Sequence, residues 1–355
     1  MEASMHNDSI QTIHADVAGQ DDNLGDSALR LGYLNALAGP GRRFHLHGRA
    51  QSSDYLAGLA LTDDHIWFDE RGEWLRSWDS ASTPVHVFNA GENNLAGQHA
   101  YPTVRRTKEL AAVKKRGGVV IVAGIGVKNA EDAKGVDFQA PFRDADVLSW
   151  RDAGSREAAG FGDVNPDWAF ALGSHTSQWL PADSRDLISV TLRFDRPYPD
   201  ETWVREVTDL ARATSRRIAT VAQVGRDAPR AIRLAADLGG QYIGSPSFAH
   251  DVLDAHVRAL YRRSLIVISD RAHGLIIGAT EGAYPLGSAA DPQKLVRLLD
   301  TVDLAHLVGR HDQVSDSAAD LPSRLDGLAP AIDEARRRLA RLTLRIQAAL
   351  SSVAP

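Results

Sequence analysis

Residues 265–285, LIVISDRAHGLIIGATEGAYP, hold the clearest strand-to-helix unit of the chain. The apolar run LIVI predicts a buried strand, and the apolar stretch after Gly274 predicts a helix. Similar short apolar runs alternate with longer helical patterns elsewhere, which is typical of βαβ units with a parallel sheet. Ligands bind beyond the carboxyl ends of strands in such sheets, so the charged loop SDRAHG (269–274) is a candidate site.

The pattern of strands and helices starts over after residue 180. The segment WLPADSRDL (179–187) carries a proline and charges without apolar periodicity, which indicates a domain boundary. We therefore expect an α/β protein with two Rossmann-like, doubly wound domains, residues 1–180 and 181–311, that face each other across a cleft.

The C-terminal segment, residues 312–355, predicts a polar linker or lid over 312–330 and one amphipathic helix over 331–352. Apolar residues at helical spacing form one face of this helix, and five arginines are interspersed with them: Ile332, Ala335, Leu339, Leu342, Ile346 and Leu350, with Arg336, Arg337, Arg338, Arg341 and Arg345. Two interpretations stay open. The helix packs back on a domain with a solvated basic side, or it binds an anionic lipid surface.

Composition excludes several kinds of site. The chain has 355 residues and a formal net charge of -6, so nucleic acid is not expected as a partner. It contains no cysteine, which excludes disulfides, thiolate nucleophiles and Cys-ligated metals. No His, Asp or Glu set has metal-ligand spacing, so no metal is expected. With neither a signal-peptide pattern nor a run of about 18 apolar residues, the sequence predicts a cytoplasmic protein.

The loop SDRAHG places an arginine and a histidine between two apolar segments. The guanidinium of Arg271 can bind a carboxylate or phosphate through two nitrogens, and His273 can hold or deliver a proton near neutral pH. Burying both charges without an anion is costly. A bound anion is one explanation, and a structural pair of Arg271 with Asp270 is the other. Ser269, at the end of the predicted strand, is a further candidate for substrate binding.

The segment VVIVAGIGVKN (119–129) begins with a predicted strand over 119–122, and two glycines follow this strand. Glycines after a strand let backbone N–H groups approach a ligand, so Gly124 and Gly126 are candidate binding residues. A tight turn with no ligand is the alternative.

The segment DDNLGDSALRLGYL (21–34) leads into an amphipathic helix. Asp26 or Ser27 is predicted to cap this helix. The functional alternative places the glycine turn at the cleft, with Asn23 as a binding residue and Asp26 as the acceptor of a hydroxyl proton.

Two further arginines end predicted strands. Arg151 follows the strand VLSW and precedes Asp152, with which it forms either an exposed ion pair of little energetic value or a binding arginine at the cleft. Arg193 ends the first strand of the second domain, where it is either a solvated strand end or directed toward the first domain.

Taken in order, these motifs resemble the polysaccharide pyruvyl transferase family over roughly residues 20–305. The resemblance rests on DNLGDSAL (22–29), FNAGENN (88–94), VVIVAGIG (119–126), LSWRDAGS (148–155), PDWAFAL (166–172), ISVTLR (188–193) and LIVISDRAHGLIIGA (265–279), with Lys294 downstream. The sequence departs from the family pattern at Ala272, where leucine is more usual, at Asp21 and Asp22, and in the loop EGAYPLGSAADPQK (281–294).

The resemblance implies a glycosyltransferase-B-like arrangement, with the saccharide acceptor on the first domain and the donor on the second. It implies transfer of a pyruvyl group from phosphoenolpyruvate to two sugar hydroxyls, as a ketal, in exopolysaccharide or cell-wall biosynthesis. Phosphoenolpyruvate is then a donor substrate and no cofactor is needed, while the acceptor is a nucleotide- or lipid-linked saccharide. A peripheral contact with the inner membrane surface and a homo-oligomer stay open.

Residue roles carry over where the motifs match. Arg271 and His273 match the family's Arg-x-His, which handles phosphoenolpyruvate. Arg193 matches the arginine that ends a strand, Asp26 matches the aspartate of the N-terminal Gly-Asp, and Lys294 matches a lysine more loosely. We expect Arg193 and Arg271 to clamp the donor, His273 to act as general acid or phosphate partner, and Asp26 to act as base toward the acceptor.

Two other functions are compatible with the same pattern: a nucleotide-sugar-dependent glycosyltransferase and a non-catalytic relative that binds sugars or anions. Trp67, Trp74 and Trp78 are candidate sugar-stacking residues, with core packing as the alternative for at least one of them.

Overall fold

The computed structural model describes residues 10–48, 51–310, 314 and 321–353. Within these residues the chain forms two main parallel sheets with helices packed against them, followed by one long C-terminal helix. The predicted fold class, α/β with two doubly wound domains and a C-terminal helix, is confirmed.

The strands of the first domain form one large sheet and one small one. Among the described residues the strands are β1 (Gln11–Asp16), β2 (Arg42–His47), β3 (Ile66–Phe68), β4 (Val85–Val87), β5 (Gly91–Asn93), β6 (Ala100–Tyr101), β7 (Val119–Val127), β8 (Asp137–Phe138), β9 (Val147–Trp150) and β10 (Asp163–Val164). The large sheet has the order β10-β9-β7-β4-β1-β2-β3, with β5 beside β7, whereas β6 pairs with β8. The central strands β4, β7 and β9 are buried along their whole length, as expected for a sheet covered on both faces.

The helices of the first domain connect these parallel strands. They are α1 (Leu24–Leu37), α2 (Ser53–Ala57), α3 (Arg71–Arg76), α4 (Val104–Lys115), α5 (Ala130–Ala133), α6 (Ala140–Arg143) and α7 (Ala153–Ala159). Helix α1 begins directly beyond the loop that follows β1, so its first turn lies at the carboxyl edge of the sheet, where ligands bind in this class of fold.

The second domain has a parallel sheet of the order β13-β12-β11-β14-β15-β16. Its described strands are β11 (Leu187–Thr191), β12 (Arg217–Thr220), β13 (Gln241–Tyr242), β14 (Ser264–Ser269), β15 (Tyr284–Ser288) and β16 (Val308–Gly309). Its helices are α8 (Glu201–Ala213), α9 (Ala228–Asp237), α10 (His250–Arg262), α11 (Ala272–Thr280) and α12 (Gln293–Asp300).

Strand β7 is longer than the sequence predicts. The predicted turn after residue 122 is wrong, because the strand continues to Val127 and only its register with β9 shifts, between Ala123 and Ile125. Gly124 lies in this shift with a φ of 82°, a conformation that glycine adopts without strain. An added Cβ atom at Gly124 would lie 2.7 Å from Cδ1 of Trp168, so this glycine makes room for a tryptophan.

The C-terminal helix, α13 (Leu321–Ser351), begins ten residues earlier than predicted. Residues 321–330 are therefore helix and not linker, because Leu321 and Leu328 are buried and hold the extra turns against the core. The predicted apolar face from Ile332 to Leu350 is buried, so α13 packs on the protein. The rest of the predicted linker or lid, residues 312–320, lies outside the described residues except for residue 314.

The arginines of α13 are not all on a solvated face. Arg336 donates hydrogen bonds to the carbonyls of Leu172 and Ser174 at 2.8 and 2.9 Å, and Arg338 donates to the carbonyl of Val164 at 2.9 Å. These contacts attach the helix to the first domain. No helix of the described residues combines the length and the apolar character needed to span a membrane.

A cluster of histidine and tryptophan rings fills one side of the first domain. The ring centroids of His14 and His45 are 5.0 Å apart, and those of His86 and Trp78 are also 5.0 Å apart. Trp74 is 0% exposed and Trp78 is 6% exposed, so neither presents a ring for sugar stacking. Trp67 is only partly buried.

Burial keeps two of these histidines neutral. Burial lowers the pKa of His14 to about 3, and His45 beside it acts in the same direction. Burial also holds the pKa of His86 well below its usual value, with smaller contributions from Arg106 and Arg71. In the unfolded chain a histidine has a pKa of about 6.5. The contribution of each buried neutral histidine to the free energy of unfolding is therefore fully present above a pH of about 6.5, and it is lost as the pH falls below that value.

We expect the free energy of unfolding to fall as the pH drops from about 6.5 toward 4, by about 1.4 kcal/mol per pH unit for each buried histidine. His86→Leu removes one such group, so its slope in urea unfolding should be shallower by about that amount. The matched control, His99→Leu, replaces an exposed histidine and should keep the wild-type slope. Equal slopes for His86→Leu and the wild type would contradict this prediction.

Candidate active site

The two domains meet where the first turn of α1 lies against the first turn of α11. An added Cβ atom at Gly25 would lie 2.2 Å from Nδ1 of His273, so only a glycine allows this approach. Beside this contact, the Leu24 N–H donates to the carbonyl of Gln223 at 3.2 Å. The contact places the glycine turn of the first domain directly against the histidine of the SDRAHG loop.

Further pairs join the domains around this contact. Ser27 Oγ lies 2.8 Å from Nδ1 of His250, and Asp22 accepts a hydrogen bond of 2.6 Å from Nε of Arg226. Asp22 is one of the acidic residues that depart from the family pattern, and here it forms an ion pair across the mouth of the cleft.

The cap of α1 differs from the prediction. Asn23 is the N-cap, since its Oδ1 accepts a hydrogen bond of 3.1 Å from the N–H of Gly25. The prediction of Asp26 or Ser27 as cap is therefore wrong. Because its side chain already fills this role, Asn23 has a structural function at the edge of the cleft.

Asp26 is left free of capping and lies in the cleft. Its Oδ2 accepts a hydrogen bond of 2.7 Å from the N–H of Gln20, and its Oδ1 is 3.4 Å from Nη1 of Arg30. Burial alone would raise the pKa of this carboxyl, but Arg30, the Gln20 amide, His273 and Lys294 together lower it. Asp26 is thus a carboxylate at neutral pH and accepts hydrogen bonds.

The guanidinium of Arg271 binds the carboxylate of Asp227, which is neither of the two predicted partners, a bound anion or Asp270. Its Nη2 donates to Oδ1 of Asp227 at 2.9 Å, and its Nε donates to Oδ2 of the same residue. The partner is thus not Asp270, whose Oδ1 instead accepts from the N–H of Arg193 at 2.8 Å. Burial raises the pKa of Asp270 to about 6, although that amide and Arg271 oppose the rise.

Ser269 and Arg193 also have local partners. Ser269 Oγ accepts from the N–H of Arg271 at 2.8 Å and donates to the carbonyl of the same residue at 3.2 Å, which fixes the first turn of α11. Arg193 binds both oxygens of Asp195 at 2.9 and 2.7 Å, and 31% of its side chain is exposed.

A network of charged side chains crosses the cleft at the other side of His273. Glu92, from β5, lies 3.1 Å from Nζ of Lys294 and 3.6 Å from Nη2 of Arg297. Arg297 also donates to the carbonyl of Val127 at 2.7 Å, so α12 of the second domain is anchored on β7 of the first. Burial would raise the pKa of Glu92, but Lys294 and Arg151 hold it below its usual value.

Arg151 joins this network from the first domain. Its Nη2 is 3.5 Å from Oε1 of Glu92 and its Nη1 is 3.3 Å from Oδ2 of Asp167. It does not pair with Asp152, which instead caps α7 by accepting from the Ser155 N–H at 2.8 Å. An added Cβ atom at Gly126 would lie 2.8 Å from Nε of Arg151, so this glycine makes room for the arginine.

The network ends at His273. Its Nε2 lies 3.7 Å from Oδ1 of Asp167, an ion-pair distance that is too long for a hydrogen bond. Three buried polar atoms here have no hydrogen-bond partner among the described residues: Nε2 of His273, Nε of Arg151 and Oε1 of Glu92. Buried polar atoms are rarely left unpaired, so this part of the cleft is where a polar ligand or water is expected.

The structure thus brings four of the predicted site residues, Asp26, Arg151, His273 and Lys294, to one cleft. It places Asn23, Arg193, Ser269 and Arg271 beside the cleft, each already bound to another group of the protein. Gly124 and Gly126 lie under packed side chains. Sequence reasoning missed Glu92, Asp167, Asp227 and Arg297. Glu92 lies in the motif FNAGENN and Asp167 in the motif PDWAFAL, and the acidic residue in each motif is the signal that could have found them.

A separate cavity of about 530 Å³ lies at the amino edge of the second sheet, away from the cleft. Its walls include Arg212, Arg216 and Arg217 together with apolar residues at the beginnings of β11 and β12. No cluster of three or more His, Asp or Glu side chains suited to a metal is present in the part of the chain that the structure describes.

A Gly25→Ala substitution is expected to force α1 and α11 apart, because the added Cβ atom has no space beside His273. Overpacking of this kind costs about 1–3 kcal/mol. We expect a lower midpoint of thermal unfolding and a larger radius of gyration in X-ray scattering. In the matched control, Gly72→Ala, the new Cβ atom would be 3.5 Å from Nη1 of Arg76, an ordinary contact, and the radius should not change. If both variants gave the wild-type values, the described contact would be wrong.

Comparisons with known proteins agree with this architecture. A family model described as polysaccharide pyruvyl transferase matches residues 23–285. None of the curated proteins compared with the sequence matches it significantly.

Solved structures of similar shape are also found. A co-structure of S. aureus MnaA with UDP is 11% identical and superposes with a TM-score of 0.55 over 98% of this chain and 99% of that chain. A glycosyltransferase from Rickettsia africae ESF-5 is 12% identical, with a TM-score of 0.52 over 96% and 97% of the two chains. An O-GlcNAc transferase from Thermobaculum terrenum is 14% identical, with a TM-score of 0.50 over 98% of this chain and 69% of that one.

At such identities these likenesses show the fold alone, and they confirm the predicted glycosyltransferase-B-like arrangement. The family model extends from the first turn of α1 to β15 and so includes Asp26, Arg151 and His273. The chain therefore belongs to the polysaccharide pyruvyl transferase family and is a transferase that modifies polysaccharide.

Proposed function

We propose that the protein transfers the pyruvyl group of phosphoenolpyruvate to two hydroxyls of a saccharide and releases phosphate. The observation that carries the proposal is the meeting of Asp26 and His273 across the Gly25 contact. These residues match the Gly-Asp and Arg-x-His motifs of the family, and each comes from a different domain. Their approach places in one cleft the carboxylate of Asp26, which can accept a proton, and the imidazole of His273, which can donate one.

The charges of the cleft suit the donor. Phosphoenolpyruvate carries a carboxylate and a phosphate, and the cations Arg151, Lys294 and Arg297 line the cleft beside His273. Lys294 is 45% exposed, so an anion can reach it and compete with Glu92. Arg193 and Arg271 act as a donor clamp in this proposal if each exchanges its carboxylate, Asp195 or Asp227, for one of the donor's anionic groups.

The chemistry follows from these positions. His273 delivers a proton to the methylene carbon of phosphoenolpyruvate, which leaves positive charge on the carbon that bears the phosphate oxygen. A sugar hydroxyl bonds to that carbon and passes its proton to Asp26. The bond to phosphate then breaks and the phosphate leaves with the bonding electrons. A second hydroxyl of the same sugar bonds to the carbon and passes its proton to His273, which restores the general acid. The products are the cyclic pyruvate ketal and inorganic phosphate, and the scheme needs no metal ion.

The acceptor is proposed to bind at the first domain, where Asp26 faces the cleft, and to be a nucleotide- or lipid-linked saccharide of exopolysaccharide or cell-wall biosynthesis. A cytoplasmic location with contact at the inner membrane surface fits a lipid-linked acceptor. The second candidate function is nucleotide-sugar-dependent glycosyl transfer, which the glycosyltransferase-B fold favours.

To test the proposal, the protein is incubated with phosphoenolpyruvate and a panel of UDP-, GDP- and lipid-linked saccharides. We expect release of inorganic phosphate that depends on one acceptor, with the ketal identified by mass spectrometry. His273→Gln should reduce the rate by about 10² or more, since it removes the general acid. The control Arg212→Gln, on the exposed side of α8, should leave the rate unchanged.

Other outcomes separate the alternatives. Release of nucleotide from a sugar nucleotide, with no phosphate from phosphoenolpyruvate, would support glycosyl transfer and rule out pyruvyl transfer. Thermal stabilisation by phosphoenolpyruvate without turnover of any acceptor would indicate a non-catalytic binding protein.

A further inference from the structure

Asp167 is the most deeply buried carboxylate that faces the cleft. Its side chain is 0% exposed and caps the short turn Trp168–Ala171, because Oδ1 accepts a hydrogen bond of 3.0 Å from the Ala169 N–H. Oδ2 lies 3.3 Å from Nη1 of Arg151. The carboxylate is therefore fixed from two sides by its own domain.

The third neighbour of Asp167 belongs to the other domain. Oδ1 is 3.7 Å from Nε2 of His273, whose side chain is only 14% exposed. Burial would raise the pKa of Asp167, but His273, Arg151 and the Ala169 amide together hold it below its usual range. Asp167 is thus a carboxylate that is charged and rigid before any ligand binds.

The two nitrogens of His273 have different surroundings. Nε2 faces Asp167 and is buried, with no hydrogen-bond partner among the described residues. Nδ1 faces Gly25 and the turn that carries Asp26. A negative charge beside one ring nitrogen favours the proton on that nitrogen and fixes the orientation of the ring.

We propose that Asp167 is a positioning residue, which holds the proton of His273 on Nε2 and so directs Nδ1 toward the Gly25–Asp26 turn. Nδ1 is then the atom that exchanges a proton with the reactants, on the side where the acceptor binds. Asp167 and His273 come from different domains, so the pair lies across the domain interface. The assignment of a reactive role to His273 rests on the proposed function, whereas the pairing itself does not.

The pairing is tested without substrate by ¹⁵N NMR of the histidine ring in the full chain, with His273→Gln used to assign its signals. We expect the neutral ring of the wild type to carry its proton on Nε2, and Asp167→Asn to give a mixture of the two tautomers. Asn can still accept from the Ala169 amide, so this variant keeps the local cap. A wild-type ring with its proton on Nδ1 would overturn the proposal even if no variant folds.

The catalytic consequence is tested by kinetics. We expect Asp167→Asn to lower kcat by about 10² with a much smaller change in the KM for phosphoenolpyruvate, because the proton donor is misplaced while the donor site keeps its cations. The matched control, Asp200→Asn, alters another capping aspartate, which accepts from the Trp203 amide at 2.9 Å on α8, and should leave both constants unchanged.

The two tests fail in different ways. If no acceptor turns over, pyruvyl transfer is ruled out. The tautomer of His273, measured by NMR without substrate, still tests its pairing with Asp167. If turnover is normal in Asp167→Asn, the positioning role is wrong and pyruvyl transfer stands.

Discussion

The approach of Gly25 to His273 is the contact on which the site depends. The ring occupies the space where any larger residue would place its Cβ atom, 2.2 Å from Nδ1. This close approach lets the first turns of α1 and α11 meet at the carboxyl edges of their sheets. The position of Asp26 opposite His273, and that of Asp167 behind it, both follow from how closely the domains approach here.

Charge compensation is the second constraint. Nearly every cation at the cleft faces a carboxylate of the protein: Arg271 faces Asp227, Arg193 faces Asp195, and Arg151, Lys294 and Arg297 share Glu92. Buried cations require such partners, since an unpaired charge away from water is costly. Any anion that enters the cleft has to displace one of these carboxylates, so its affinity depends on the difference between its own contacts and those of the carboxylate that it displaces.

The sequence predicts the elements whose signals are local. The run before Ser269 and the helix after it are recognisable because an apolar strand, a polar loop and an apolar helix follow one another, and the structure has β14 and α11 there. Strand β1 cannot be predicted from a local signal, because QTIHAD is not an apolar run and its burial comes from pairing with β2 and β4. Strand β15 is also hard to predict, because Pro285 and Gly287 disfavour strands and pairing with β14 compensates for them.

The candidate site could be predicted only in part, for a related physical reason. Asp26, Arg151 and His273 stand at the ends of predicted strands or the starts of helices, so topology alone brings them to the cleft. Their partners cannot be found in this way. The fork of Arg271 is filled by Asp227, which lies on a different loop, and nothing in the local sequence of either residue indicates the pair. Gly124 and Gly126 matched a ligand-binding pattern, yet tertiary packing of Trp168 and Arg151 explains them.

We claim above all that the donor binds in the cleft, beside His273 and Lys294. A crystal structure of the protein with phosphoenolpyruvate tests it most directly. We expect the donor in the cleft, with one of its anionic groups within hydrogen-bond distance of His273 or Lys294. Phosphoenolpyruvate bound only in the arginine-lined cavity at the amino edge of the second sheet, with the cleft unchanged, would contradict it.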